Sequence, residues 1–197
     1  MRGSGRGPAG VEVDTRGRAV LPKGDVRRRG HGSIAIVPLG PVVMIRDMNY
    51  ELFMGEALAV ARQAAERGAP PVGAIAVMNE AMVARGANRV AEKNDPTAHA
   101  VVAALREASR KLGTTHLTDV TIFTTHEPCP MCVGALLESD VAALVFAVPN
   151  PVDGAAGSVL QLAQHPGLAR RLQVVSGIRA EEAAELTADR SAVAAGA

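Results

Sequence analysis

Across residues 50–67 the apolar side chains Phe53, Ala57, Val60, Ala61 and Ala64 recur at steps of three and four, and Gly68 and Pro70 follow. That is the period of an amphipathic helix with a stop signal behind it. Residues 72–78 form a short apolar run between turn residues, and 82–86 can return beside it across Asn79-Glu80, which predicts a hairpin. Asp95-Pro96-Thr97 offers a capping signal ahead of an alanine-rich helical repeat over 98–112. Residues 120–125 then read as a strand, 130–139 as a helix opened by proline, and 142–148 as another strand. A weaker continuation predicts a helix over 158–164, a strand over 172–176 and a helix over 179–189. Strands alternating with helices predict an α/β sandwich with a mostly parallel central sheet.

No such period runs through residues 1–47, where MRGSGRGPAG and KGDVRRRGHG are rich in glycine and arginine. We read 1–47 as a poorly ordered basic arm and 48–197 as the folded domain. The plain explanations of the arm are an expression scar or an upstream start codon, since Met44 and Met48 could each begin the chain. The arm carries nine Lys/Arg against four Asp/Glu, leaving twelve against sixteen, or −4, for 48–197. No apolar run is long enough to span a bilayer and no signal-peptide order opens the chain, which predicts a cytoplasmic protein. Aromatics are confined to Tyr50, Phe53, Phe123 and Phe146, so a nucleobase would find few rings to stack on.

Two segments carry the chemistry: Thr97-Ala98-His99-Ala100-Val101 and Glu127-Pro128-Cys129-Pro130-Met131-Cys132, each at a predicted helix start. Two cysteines three residues apart cannot staple distant parts of a domain, so they are a metal or redox pair. One imidazole and two thiolates suit zinc, and three protein ligands leave the fourth tetrahedral position open for water. A helix N-terminus favours the thiolate form that zinc needs. His-x-x followed by Pro-Cys-x-x-Cys is close to the signature of zinc nucleobase deaminases, which place glutamate two residues after the histidine.

Together with Pro71-Val72-Gly73-Ala74, Ala87-Asn88-Arg89, Asp95-Pro96 and Gly154-Ala155-Ala156-Gly157-Ser158, these segments resemble the cytidine deaminase superfamily, in its branch of tRNA adenosine, guanine and cytosine deaminases. The resemblance runs from about residue 50 to 190. It implies a three-layer α/β/α sandwich on a five-stranded mixed sheet, a homodimer, and Zn2+ held by His99, Cys129 and Cys132. It also implies that Asn88 bonds the substrate and that backbone near Ala74 and Ala98 lines the base pocket. Val101 stands where the family carries its proton-shuttling glutamate, which implies a nearly inactive enzyme. Glu127 belongs to the family motif itself and is no replacement. Three accounts of Val101 compete: a deliberately inactivated variant, a natural pseudoenzyme, and a closed structural zinc site with His126 as fourth ligand.

The substrate follows from charge. An acidic domain with an acidic Glu181-Glu182-Ala183-Ala184-Glu185 segment points to a free base, nucleoside or related amino-substituted ring rather than RNA. The stretches 154–158 and 164–167 look more like the tRNA enzyme, so a tRNA adenosine (wobble) deaminase is the alternative, and a non-catalytic binding or scaffold protein is the reading of another class.

Overall fold

The computed structural model describes residues 48–194, with side chains to 188; the predicted arm lies outside the described residues. Helix α1 (Tyr50–Glu66) is capped by Asn49, whose side chain accepts from the Leu52 amide at 3.0 Å. The chain then folds into β1 (Gly73–Met78), β2 (Ala81–Ala87), a short α2 (Val90–Lys93) and α3 (Ala100–Leu112). It continues through β3 (Thr121–His126), α4 (Pro130–Glu138), β4 (Ala143–Val148), β5 (Gln173–Ser176) and α5 (Ala180–Ala194). Asn79 and Glu80 both sit at positive φ, 50° and 56°, as a tight hairpin turn between β1 and β2 requires.

The five strands lie in the order β2-β1-β3-β4-β5. β1 runs antiparallel to both its neighbours, while β3, β4 and β5 pair in parallel. Four strands thus share one direction, yet the ladder is half antiparallel, more mixed than simple strand–helix alternation predicts.

Alternation splits each central strand between two cores. Ala74, Ala76, Ile122, Leu144 and Phe146 face α3 and α4, whereas Ile75, Val77, Phe123 and Val145 pack with α1 and α5. Both faces of the sheet are therefore buried, which is why the strands read as continuous apolar runs. Gly86 lets α3 lie directly on β2, since a Cβ there would fall 2.2 Å from the Ala100 carbonyl and 2.4 Å from the Ala104 amide nitrogen. This close approach seats the start of α3 at the site.

Two expectations are corrected. The helix cap is His99, with no side-chain hydrogen bond, and Asp95 instead closes its own turn by accepting from the Thr97 amide and hydroxyl at 2.8 and 2.7 Å. The segment 158–164 is not a helix but a turn with an isolated bridge between Ala156 and Gln161. Its amides are committed elsewhere: Ser158 donates to Glu127, and Val159 and Leu160 donate to the Gly154 carbonyl. No helix among the described residues is long and apolar enough to cross a membrane.

Candidate metal centre and its cavity

α3 and α4 begin at His99 and Cys129, and both helix starts converge at the end of β3. Pro130 occupies the first turn of α4, where its missing N–H costs nothing. His99, Cys129 and Cys132 bring their ligand atoms within 4.8 Å of one another, the one such His/Cys/Asp/Glu group among the described residues. His99 Nδ1 lies 3.6 Å from each sulfur. Zinc–nitrogen and zinc–sulfur bonds of about 2.0–2.1 and 2.3 Å at a tetrahedral angle separate the ligand atoms by about 3.6 Å, so the three side chains fit a zinc ion. Both cysteines are free thiols. Burial, then the neighbouring Cys129, pushes the Cys132 thiol well above its ordinary value, a cost that a cation between the sulfurs reverses. The Val102 amide, donated from the first turn of α3, works in the same direction as that cation.

A cavity of about 140 Å³ opens over the triad, lined by Asn88, Val101, Thr124, His126, Asn150 and Asp153 among others. Val101 is 3% exposed and sits in the first turn of α3. Asn88 lines the cavity and accepts from the Val90 amide at 3.2 Å through Oδ1. Neither Ala74 nor Ala98 lines this cavity. Ala74 is fully buried in β1 between Gly86 and Thr124. Ala98 has both backbone groups spent, its N–H on the Asp95 carbonyl at 3.1 Å and its carbonyl on the Arg89 amide at 2.9 Å.

His126 is not gathered into the metal group. Its ring turns toward α5, with Nε2 3.3 Å from the Thr187 hydroxyl, and burial holds its pKa below the usual imidazole value.

Glu127, 2% exposed, organises the floor. Its carboxylate accepts from the Asn150, Ala156 and Ser158 amides at 3.0, 2.9 and 3.0 Å and from the Ser158 hydroxyl. Gly154 packs so closely over it that a Cβ would fall 2.5 Å from the carboxyl carbon. Burial alone would raise the Glu127 pKa, but these donors outweigh it and hold the group below its ordinary 4.5. A depressed folded pKa means stability present above the unfolded value and lost as pH falls through the folded one. Glu127→Gln should therefore cost about 1–3 kcal/mol at neutral pH, with the deficit shrinking as acid protonates the parent. Melting temperatures across the acid range check this, and a gap that stays constant with pH would remove the ionised role.

A sequence model of the cytidine and deoxycytidylate deaminase zinc-binding region matches residues 47–148, more than half of the chain. The chain belongs to this deaminase family. It is 50% identical over 135 residues to the tRNA(Ile)-lysidine synthase of Deinococcus radiodurans, covering 68% of this chain but only 23% of that protein. It is 40% identical over 111 residues to the guanine deaminase of Bacillus subtilis, covering 56% and 71% of the two chains. A solved structure from a study of A-to-I editing by tRNA:A34 deaminases superposes with a TM-score of 0.66 at 36% identity, covering 68% of this chain and 98% of that one. The chain thus carries a zinc-binding deaminase domain on an open five-stranded mixed sheet. Elemental analysis should find one zinc per chain, falling toward none in Cys132→Ala. A disulfide between Cys129 and Cys132 in the purified protein would contradict that assignment.

Proposed function

We propose that the chain binds an amino-bearing purine presented on RNA, with His99, Cys129 and Cys132 holding zinc and Asn88 contacting the ring, and that Val101 leaves it nearly without turnover. When bound, zinc supplies the acidification of water that hydrolytic deamination requires. The chain's own residues do the rest. Glu127 holds the loop that closes the cavity floor, the two helix starts set the ligands, and the small cavity admits one ring at a time. At position 101 a valine can neither take nor return a proton, so ring nitrogen and leaving amine go unprotonated.

The observation that carries the RNA reading is the surface beside the site. A groove of about 450 Å³ is lined by Arg67, Arg85, Arg89, Lys93, Arg106 and Arg110, with Glu107 as its one acidic member. All six cations are exposed, and among the described residues only Arg89 and Arg110 of the six pair with carboxylates, Glu92 and Glu107. The groove lies next to the cavity along the chain: Arg89 follows Asn88, Ala98 precedes His99, and the Arg89 amide bonds the Ala98 carbonyl. Averaged charge pointed to a small free ring. The folded chain instead gathers half of the domain's twelve basic residues on one face, the footprint of a phosphate backbone.

The slow turnover of the chain as it stands makes binding the direct test. A tRNA should bind with an affinity that falls steeply as salt rises, and more tightly than adenosine, guanine or cytosine alone. Binding of a free base without measurable RNA binding would replace this reading with the small-ring one.

A further inference from the structure

Among the described residues, two buried side-chain polar atoms have no hydrogen-bond partner: Thr124 Oγ1 and His126 Nδ1. Both residues line the cavity over the metal triad. Thr124 is fully buried in the centre of the sheet, where an unmet hydroxyl is costly, so two residues that line one cavity and each keep an unmet polar atom mark a place where a polar ligand would relieve that cost. Thr124 pairs with Ala74 and Phe146, which pack with Ile122 on the α3/α4 face of the sheet, whereas His126 stands at the end of β3 with its ring reaching α5.

The two ring nitrogens of His126 are fixed differently. The Thr187 hydroxyl lies 2.9 Å from the Ala183 carbonyl and 3.3 Å from His126 Nε2; donated to that carbonyl, it would meet Nε2 as an acceptor and favour the ring proton there. Nδ1 is then a lone pair. α5 thereby sets the tautomer of a residue in the cavity without reaching the cavity itself.

We propose that Thr124 and His126 are the polar contacts through which the cavity selects its ligand, with His126 Nδ1 accepting a hydrogen bond from a base N–H or a sugar hydroxyl and Thr187 acting as its positioning residue. The inference rests on the purine-binding reading of the site but not on RNA as the carrier. It separates ligands by what they donate. Guanosine offers a ring N–H and an exocyclic amine, purine riboside offers neither, and the 2′-deoxy forms lack one sugar hydroxyl.

Calorimetric binding to the zinc-loaded chain with these four nucleosides, each free and as the single unpaired nucleotide of an RNA hairpin, tests it. The parent should prefer the donor-bearing member of one pair by about 10-fold, and His126→Leu should erase that preference. A preference for guanosine over purine riboside assigns the donor to the base, and one for ribose over deoxyribose assigns it to the sugar. Thr124→Val should weaken every probe that binds. Thr187→Val should reduce the preference and turn the imidazole nitrogen-15 spectrum of His126 from one tautomer into a mixture, a change a purely structural threonine would not produce. Zinc content held at the parent value shows that His126→Leu keeps its site. Equal preferences in parent and His126→Leu overturn this inference alone. Binding of free nucleosides but not hairpins overturns the RNA reading and leaves this one standing, whereas binding of no probe overturns both.

Discussion

Val101→Glu should raise hydrolytic deamination by about 10² to 10⁴, the range a positioned general acid and base supplies. The structure sharpens this expectation in two ways. Position 101 lies in the first turn of α3, where the helix N-terminus favours a carboxylate. It also lines a cavity bordered by the polar residues Asn88, Thr124 and Asn150, so a glutamate would not enter a wholly apolar core despite the 3% exposure of the valine it replaces. Burying an unmet charge costs several kcal/mol, and here a donor, a helix terminus and a bound cation all offset it. The melting temperature should therefore move little while the rate rises. Val101→Gln has the size and polarity of the glutamate but carries no proton, and should stay at the parent rate. Ammonia release would be followed with tRNA, adenosine, guanine, cytosine and their nucleosides as substrates. A zinc-loaded Val101→Glu chain that turns over none of them would sink the enzyme reading and leave a binding protein on a deaminase fold.

What the sequence reveals of this molecule divides by the range of the forces involved. The main helices and strands are legible because their burial is periodic: α1, α3, β1, β3 and β4 each fall within a residue or two of the spans that spacing predicts. The metal triad is legible because its ligands sit in two short motifs at helix starts. Segment 158–164 fails because its conformation is set from outside: Glu127 holds the Ala156 and Ser158 amides, and the Leu162 and Ala163 amides that a helix would turn back on 158 and 159 go to the Ala155 carbonyl. Thr124 and His126 leave a fainter signal. Once 121–126 is a strand, alternation puts Thr124 on the face that Ile122 shares with α3 and α4, and that step was open to sequence reasoning. The role of Thr187 was not, because nothing local links α5 to β3.

The basic groove was invisible for a related reason. A count along the chain sees −4, whereas Arg67 at the end of α1, Arg85 in β2, Lys93 in α2 and Arg106 in α3 meet only in the folded state. Reversing two of them, Arg85→Glu with Arg106→Glu, should leave the fold intact, since both side chains are exposed and neither pairs with a carboxylate among the described residues. If each arginine neutralises a phosphate, the slope of log affinity for tRNA against log salt should shrink by about one for each phosphate left without its cation. Like charges facing the phosphates should push the affinity down further, so the double variant should bind RNA at least 10-fold more weakly at moderate salt. Zinc content and binding of free nucleosides should not change, because neither arginine lines the cavity over the triad. That contrast is the decisive one. Loss of RNA binding with nucleoside binding retained assigns the groove to the carrier of the base, while unchanged RNA affinity and salt slope would return the site to small rings and leave the arginines as an ordinary solvated face.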